Sequence, residues 1–75
     1  PADPQTKIYL RKLGAAIREA RVSEGITQET LAELTQLNPR TIQKIEVGQT
    51  NILVTTLARI HSAVRCDWHD LMPKS

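Results

Sequence analysis

The fold is decided by the segment GITQETLAELTQLNPRTIQKIEVG, residues 25–48. Thr27 is a residue type that caps the starts of helices, and residues 28–35 after it carry apolar side chains at helical spacing. Asn38 followed by proline is a second start, because proline is favoured at the first position of a helix. The segment therefore predicts two short helices, 28–35 and 38–47, with a two-residue turn between them.

The link between these two helices determines how they pack. A turn of two residues is too short for antiparallel packing, so we expect the helices to cross at a large angle. This is the helix-turn-helix arrangement, in which the second helix lies in the major groove of DNA and the first crosses the phosphate backbone. In the second helix Ile42 and Ile45 form the apolar side, and long hydrogen-bonding side chains occupy the other positions: Arg40, Thr41, Gln43 and Lys44. We interpret that polar face as DNA-reading; an ordinary solvated helix surface is the alternative.

Helical patterns also account for the rest of the chain. Asp3 followed by proline begins a first helix that ends at Gly25, with apolar positions at helical spacing: Leu10, Leu13, Ile17 and Ala20. A fourth helix has four such positions: Val54, Leu57, Ile60 and Val64. In a fifth, single-turn helix we expect Asp67 to cap and Asp70 to close a carboxylate version of the capping box. Since no strand-like alternation competes, we predict an all-α fold, a compact bundle of five helices.

Composition limits the classes of function. The 75-residue chain is 40% apolar, which suffices for one core and not for two. Tyr9 and Trp68 are its only large aromatic residues, which argues against the stacking platforms that bind single-stranded nucleic acid. The lone Cys66 excludes a disulfide scaffold and fits a reducing cytosol. No apolar run approaches the ~20 residues of a membrane span and no signal-peptide pattern opens the chain, so we expect a cytoplasmic protein. The net charge of +2 permits nucleic-acid binding without requiring it.

Residues that carry catalysis or bind metals are few. His61 and His69 are separated by a predicted turn, and two histidines supply too few donors for a metal site. No Ser/His/Asp set or paired carboxylates accompany them or Cys66, and the three glycines are too scattered for a phosphate-binding loop. We therefore expect no enzymatic activity, no metal and no cofactor.

Residues along most of the chain fall in register with one known family. They are Leu13-Gly14, Ile17-Arg18, Arg21, Gly25-Ile26-Thr27-Gln28, Leu31-Ala32, Leu37-Asn38, Thr41-Ile42, Lys44-Ile45-Glu46, Gly48, Asn51, Leu57, Ile60, Ala63-Val64 and Asp70-Leu71. Together they resemble the phage-repressor-type (Xre, lambda-repressor-like) helix-turn-helix family. The resemblance implies a DNA-binding domain at 10–72 with the helix-turn-helix at its second and third helices. An N-terminal arm with the start of the first helix, partly disordered, would occupy 1–9, and a C-terminal tail 73–75.

The resemblance also implies which residues meet DNA. Gln28 matches a family glutamine that bonds to a backbone phosphate, and the free amides and dipole at a helix N-terminus favour an anion there. The exposed positions of the recognition helix would be Asn38, Arg40, Thr41, Gln43 and Lys44. The loop that meets the DNA backbone would be Gln49, Thr50 and Asn51. The chain departs from the family pattern at Gln36 and Arg65, where glycine is common, and at Pro39, which presents no hydrogen-bonding side chain.

The resemblance has two further implications, one for the structure and one for the assembly of the protein. Arg21 and Glu46 match a family ion pair that ties the first helix to the end of the recognition helix. Family members usually dimerise through their C-terminal region, and tryptophan is enriched at interfaces, although Trp68 could instead cap the core. The expected dimer interface is Trp68, Leu71, Met72, Ile52 and Leu53.

The sequence therefore favours one function and leaves a second open. We expect a sequence-specific, double-stranded-DNA-binding transcriptional regulator that acts as a homodimer on a palindromic operator, with repression as its expected action. The alternative is a protein-interaction module of the same fold, such as the antitoxin half of a toxin–antitoxin pair.

Overall fold

Five α-helices make up the protein in the computed structural model, which describes residues 3–73. They are α1 (Pro4–Glu24), α2 (Gln28–Thr35), α3 (Pro39–Glu46), α4 (Val54–Val64) and α5 (Trp68–Leu71). No strand occurs in that range, so the predicted all-α, five-helix fold is confirmed. Helix α1 includes most of the segment 1–9 that was expected to contain an arm, and residues 1, 2, 74 and 75 lie outside the described residues.

The first three helices begin with the side-chain caps that the sequence predicts. Asp3 accepts a hydrogen bond from the backbone N–H of Thr6 at 2.8 Å. Thr27 accepts one from the third residue after it at 3.0 Å, and Asn38 accepts one from the N–H of Arg40 at 2.8 Å. Each cap satisfies a backbone N–H group that has no partner inside its helix, and the sequence therefore defines these helix starts.

The prediction of a capping box at the fifth helix is wrong. Asp67 occupies the N-cap position of α5, but its side chain accepts no hydrogen bond from the helix. The capping box expected with Asp70 does not form, and the turn is closed by backbone alone, from the Asp70 N–H to the Asp67 carbonyl at 3.0 Å. The capping box uses glutamate or glutamine to reach back to the N-cap, and an aspartate is one methylene shorter.

A residue in the left-handed conformation follows each of the first four helices. Gly25 after α1 and Gly48 after α3 both have φ of +77°. Gln36 (φ 58°) and Arg65 (φ 55°) adopt the same conformation with a side chain in place. A non-glycine residue in this region costs about 1 kcal/mol, so both connections form at some expense of stability.

One hydrophobic core unites all five helices. Its buried members are Leu13, Ile17, Leu31, Ala32, Ile42, Ile45, Leu57, Ile60, Val64 and Leu71. The Cα radius of gyration, 11.4 Å, is the value expected for a single compact domain of this length. Val54 was predicted to share the apolar side of α4, yet it is 81% exposed at the first position of the helix, whereas Ile52 before the helix packs against the core. No helix among residues 3–73 is both long and apolar enough to cross a membrane.

Candidate nucleic-acid interface

The polar side of α3 faces outward. Ile42 and Ile45 are buried in the core on the opposite side of this helix. Of the predicted DNA-reading residues, Thr41 is half-buried and the others are exposed: Asn38, Arg40, Gln43 and Lys44. The side chains of this face are close together because helix residues three and four apart are neighbours. We call the exposed set Arg40, Gln43 and Lys44 the polar ridge.

A buried ion pair holds the C-terminal end of α3 against α1. Arg21 Nε donates to Glu46 Oε2 at 2.7 Å, and Arg21 Nη2 donates to Glu46 Oε1 at 3.2 Å. The two side chains are only 11% and 2% exposed. A third bond, from Arg21 Nη1 to the carbonyl of Ile26 at 2.9 Å, connects the pair to the loop before α2. This bidentate pair therefore fixes α3 relative to the first two helices.

Close backbone contact reinforces this arrangement. Gly14 of α1 lies against the last turn of α3, where a Cβ atom would come within 2.7 Å of the Glu46 carbonyl oxygen. Real Cβ atoms do not approach backbone so closely, so the crossing of the two helices requires glycine at this position. The polar ridge is thus presented from a rigid base.

The side chain of Gln28, which was expected to bond to a phosphate, makes a hydrogen bond within the protein. Its side-chain Nε2 donates to Glu46 Oε1 at 2.9 Å, so the amide is tied to the ion pair. One amide hydrogen of Gln28 remains for a phosphate. The backbone N–H groups of Gln28 and Glu29 also have no acceptor among the described residues. Sequence reasoning missed the contact with Glu46, because the partners are eighteen positions apart.

The capping role of Asn38 restricts what it can read. Its Oδ1 atom accepts from the Arg40 N–H, which uses one of the two lone pairs of that oxygen, and both amide hydrogens stay free to bond with a base or phosphate. Within residues 3–73, the side chains of Arg40, Gln43 and Lys44 make no hydrogen bond or ion pair with the protein. All three are therefore available to an external partner.

The loop after α3 lies beside the start of α1. Gln49 and Asn51 are exposed and Thr50 is half-buried. The Thr50 hydroxyl donates to the Asn51 carbonyl at 3.3 Å, and the Gln49 N–H donates to the Lys44 carbonyl at 2.9 Å. The loop thus continues directly from the polar ridge.

The predicted dimer interface divides into exposed and buried residues. Leu53, Trp68 and Met72 are exposed, Leu53 to 71% and Trp68 to 43%. Leu71 is wholly buried, so its assignment to the interface is wrong. Leu71 is the residue of the single-turn helix α5 that is buried in the core. Ile52 is half-buried and packs against the core.

Trp68 covers a histidine of α4. Its ring stacks on that of His61 with centroids 3.8 Å apart and planes 10° from parallel. His61 Nε2 is buried and has no hydrogen-bond partner among residues 3–73. The sequence did not predict this stacking. Trp68 and His61 lie on different helices, and the left-handed turn at Arg65 connects those helices.

Cys66 is half-buried and packs against the core. Burial raises the pKa of its thiol, and the nearby carboxylates of Asp70 and Asp67 raise it further. The thiol is therefore protonated at neutral pH and poorly nucleophilic. Among the described residues, no three potential metal ligands lie close enough together to bind an ion.

Solved structures of regulators resemble this chain in fold and sequence. The restriction-modification controller protein C.AhdI from Aeromonas hydrophila is 32% identical with a TM-score of 0.79, over 84% of this chain and 96% of that one. The clp gene regulator ClgR from C. glutamicum is 28% identical with a TM-score of 0.80, over 84% of this chain and 81% of that one. A comparison with curated protein sequences gives no significant match.

The family comparison agrees with the geometry. The helix-turn-helix family HTH_3 matches residues 17–71, which include all of α2, α3, α4 and α5. The sequence resemblance to phage-repressor-type domains is thereby confirmed. The chain belongs to the Xre-like helix-turn-helix family HTH_3, a family of DNA-binding regulators.

Proposed function

We propose that the protein is a sequence-specific transcriptional regulator that inserts α3 into the major groove of double-stranded DNA. The observation that supports this most is the polar ridge itself. Three long side chains with no partner among the described residues stand on a helix that is fixed by a buried ion pair and a glycine crossing. A rigid support of this kind holds recognition side chains in register with base edges at little entropic cost.

The residues of the ridge differ in what they can read. Arg40, in the first turn of α3, can donate two parallel hydrogen bonds to guanine O6 and N7, which discriminates by about 1–3 kcal/mol against other bases. Lys44 lies one turn further on and can bond to guanine or to a phosphate. Gln43 matches the two-bond pattern of adenine, or it reaches the phosphates. Asn38 and Thr41 complete the proposed set at the edge of the ridge, with phosphate contacts from Gln28 and from the loop: Gln49, Thr50 and Asn51.

We further propose a homodimer on a palindromic operator. Leu53 and Val54 expose apolar side chains at the start of α4, and Trp68 of α5 and Met72 directly after it expose theirs. These two sites are connected, since His61 is on the same side of α4 as Val54 and its ring stacks on Trp68. For both α3 helices of such a dimer to enter the major groove on one side of the DNA, the two-fold axis through this surface must place them about 34–36 Å apart. A dimer on such a site excludes other proteins from the DNA, so we propose repression as its action.

Selection of binding sites from a random duplex pool tests the proposal. The wild-type chain should enrich a palindrome with half-sites about 10 bp apart. Arg40→Ala should lose the preference at one position in each half-site and retain the others. Glu33→Ala, a change at an exposed residue of α2, is the control and should enrich the wild-type sequence. A pool without enrichment, or the same sequence selected by the Arg40→Ala variant, would contradict base reading by the ridge.

The exposed apolar surface also favours a second candidate, a protein-interaction module such as an antitoxin half. Leu53, Val54, Trp68 and Met72 are exposed apolar side chains, and an apolar patch on a surface is typical of sites that contact another protein. Sedimentation of the purified protein separates the two functions. Self-association through this surface supports the regulator, whereas a monomer that assembles only with a different protein supports the module.

A further inference from the structure

A groove separates the N-terminal half of α1 from the loop after α3. Its volume is about 370 Å³, and it is open to solvent. Helix α1 contributes Lys7 and Arg11 to its lining, and the loop contributes Gln49, Thr50 and Asn51. No acidic side chain lines it, and neither cation forms an ion pair with the described residues. The groove therefore combines two positive charges with amide and hydroxyl groups.

The two walls of the groove are in close contact at its base. Gly48 has φ of +77°, and a Cβ atom there would lie 2.8 Å from the Cα of Arg11. The loop begins with two backbone hydrogen bonds to the last turn of α3, from Gly48 N–H to the Ile45 carbonyl at 3.1 Å and from Gln49 N–H to the Lys44 carbonyl at 2.9 Å. The separation between loop and helix is thus set by backbone contacts and does not depend on flexible side chains.

The groove opens at the C-terminal end of the polar ridge. Val47, which lines it and is exposed, lies three positions after Lys44 and seven after Arg40. Residues at this spacing share one face of a helix. Seven residues span about 10 Å along a helix, and the major groove is about 12 Å wide with a row of phosphates on either side. When the ridge contacts bases, the groove is close to the phosphates of a bordering strand.

We propose that this groove binds a backbone phosphate of DNA, with Lys7 and Arg11 supplying the charge. The amides of Gln49 and Asn51 are placed to donate hydrogen bonds to the same phosphate. The proposal rests on the proposed DNA-binding function and extends the contact surface to a part of α1 that precedes the family match at 17–71. Phosphate contacts position a protein on DNA and add affinity that falls with salt, without reading sequence.

Lys7→Gln and Lys12→Gln form a matched pair that tests the groove. Each removes one charge from an exposed lysine of α1, but Lys12 is about 140° around the helix and does not line the groove. The probe is a fluorescent duplex of random sequence, titrated with the full chain over a series of KCl concentrations. Lys7→Gln should lower the salt slope of the association constant by about 1 per bound chain and weaken binding roughly five-fold at ~0.15 M salt. Lys12→Gln should leave the slope unchanged.

The outcomes separate this proposal from the proposed function. If the wild type binds and Lys7→Gln has the same salt slope as the wild type and Lys12→Gln, the groove assignment is overturned and the proposed DNA binding stands. If the wild type ignores every duplex at low salt, both fail. Arg11→Gln is an independent second variant and should reproduce the effect of Lys7→Gln. A melting-temperature increase with inorganic phosphate alone that is lost in Lys7→Gln, with an unchanged DNA slope, would assign the groove to a free anion instead.

Discussion

Glu46→Gln tests whether the buried ion pair supports the recognition helix. The Glu46 carboxylate accepts three hydrogen bonds, two from Arg21 and one from Gln28, and its side chain is 2% exposed. Glutamine preserves the shape of the side chain but replaces one acceptor oxygen with an NH₂ group, which would face a donor. It also removes the charge that compensates the Arg21 guanidinium. The substitution therefore leaves the buried guanidinium without a counter-charge, held only by neutral acceptors, the one remaining side-chain oxygen at position 46 and the carbonyl of Ile26.

The expected loss of stability is large for a chain of this size. Removing one partner of a buried ion pair costs about 3–5 kcal/mol, because the remaining charge stays desolvated. Solvent screening changes this little, since both side chains are almost fully covered. For a domain of 60–100 residues, each kcal/mol lowers the melting temperature by about 4–8 °C, so a loss of ~3 kcal/mol gives a decrease of roughly 12–24 °C.

Thermal and urea unfolding followed by circular dichroism measure this loss. Glu33→Gln is the matched control, because it makes the same chemical change at an exposed position of α2. Its effect should stay within about 0.5 kcal/mol. Equal melting temperatures for the two variants would refute the claim that the Arg21–Glu46 pair holds α3 in place.

Three further outcomes follow from the placement of single side chains. Trp68→Ala should weaken self-association in sedimentation while leaving helix content intact, and Val22→Ala, an exposed change on α1, should alter neither. Leu71→Ala should instead lower stability by about 2–5 kcal/mol in urea unfolding, because Leu71 is in the core. The Cys66 thiol, whose pKa is raised by burial and by Asp70, should react with iodoacetamide only at a higher pH than free cysteine does. An identical pH midpoint for the two thiols would contradict this shielding.

Local patterns predicted the elements of this fold because the forces that start and stop helices act within a few residues. The capping side chains of Asp3, Thr27 and Asn38 bond to backbone groups two or three positions away, so their residue types alone were informative. The left-handed turns at Gly25 and Gly48 follow similarly from the absence of a side chain. These signals defined α2 and α3, and hence the orientation of the polar ridge.

The capping box expected at α5 failed for a local reason, the short side chain of Asp70, whereas the failed predictions for Val54 and Leu71 depend on contacts between distant segments. Periodicity indicated an apolar side of α4 but could not show that Ile52 covers the core and leaves Val54 in solvent. Helix α5 is a single turn, and its four residues are too few for periodicity to show that Leu71 points inward while Trp68, and Met72 directly after the helix, are exposed.

The features of the interface that sequence reasoning missed have the same origin. The bond between Gln28 and Glu46 joins two helices that periodicity treats separately. The groove at Lys7 and Arg11 arises only where the start of α1 meets the loop at Gly48. The net charge counts those two cations, but only the fold shows that they lie beside the loop.

The central claim is that the exposed face of α3 enters the major groove, and an NMR titration tests it most directly. Amide and side-chain resonances of the full chain, labelled with ¹⁵N, would be followed while an operator duplex from the site selection is added. We expect the largest shifts at Arg40, Gln43 and Lys44, including the side-chain resonances, and small shifts along α4. Shifts concentrated on α4 and α5, with the resonances of α3 unchanged at saturation, would contradict it.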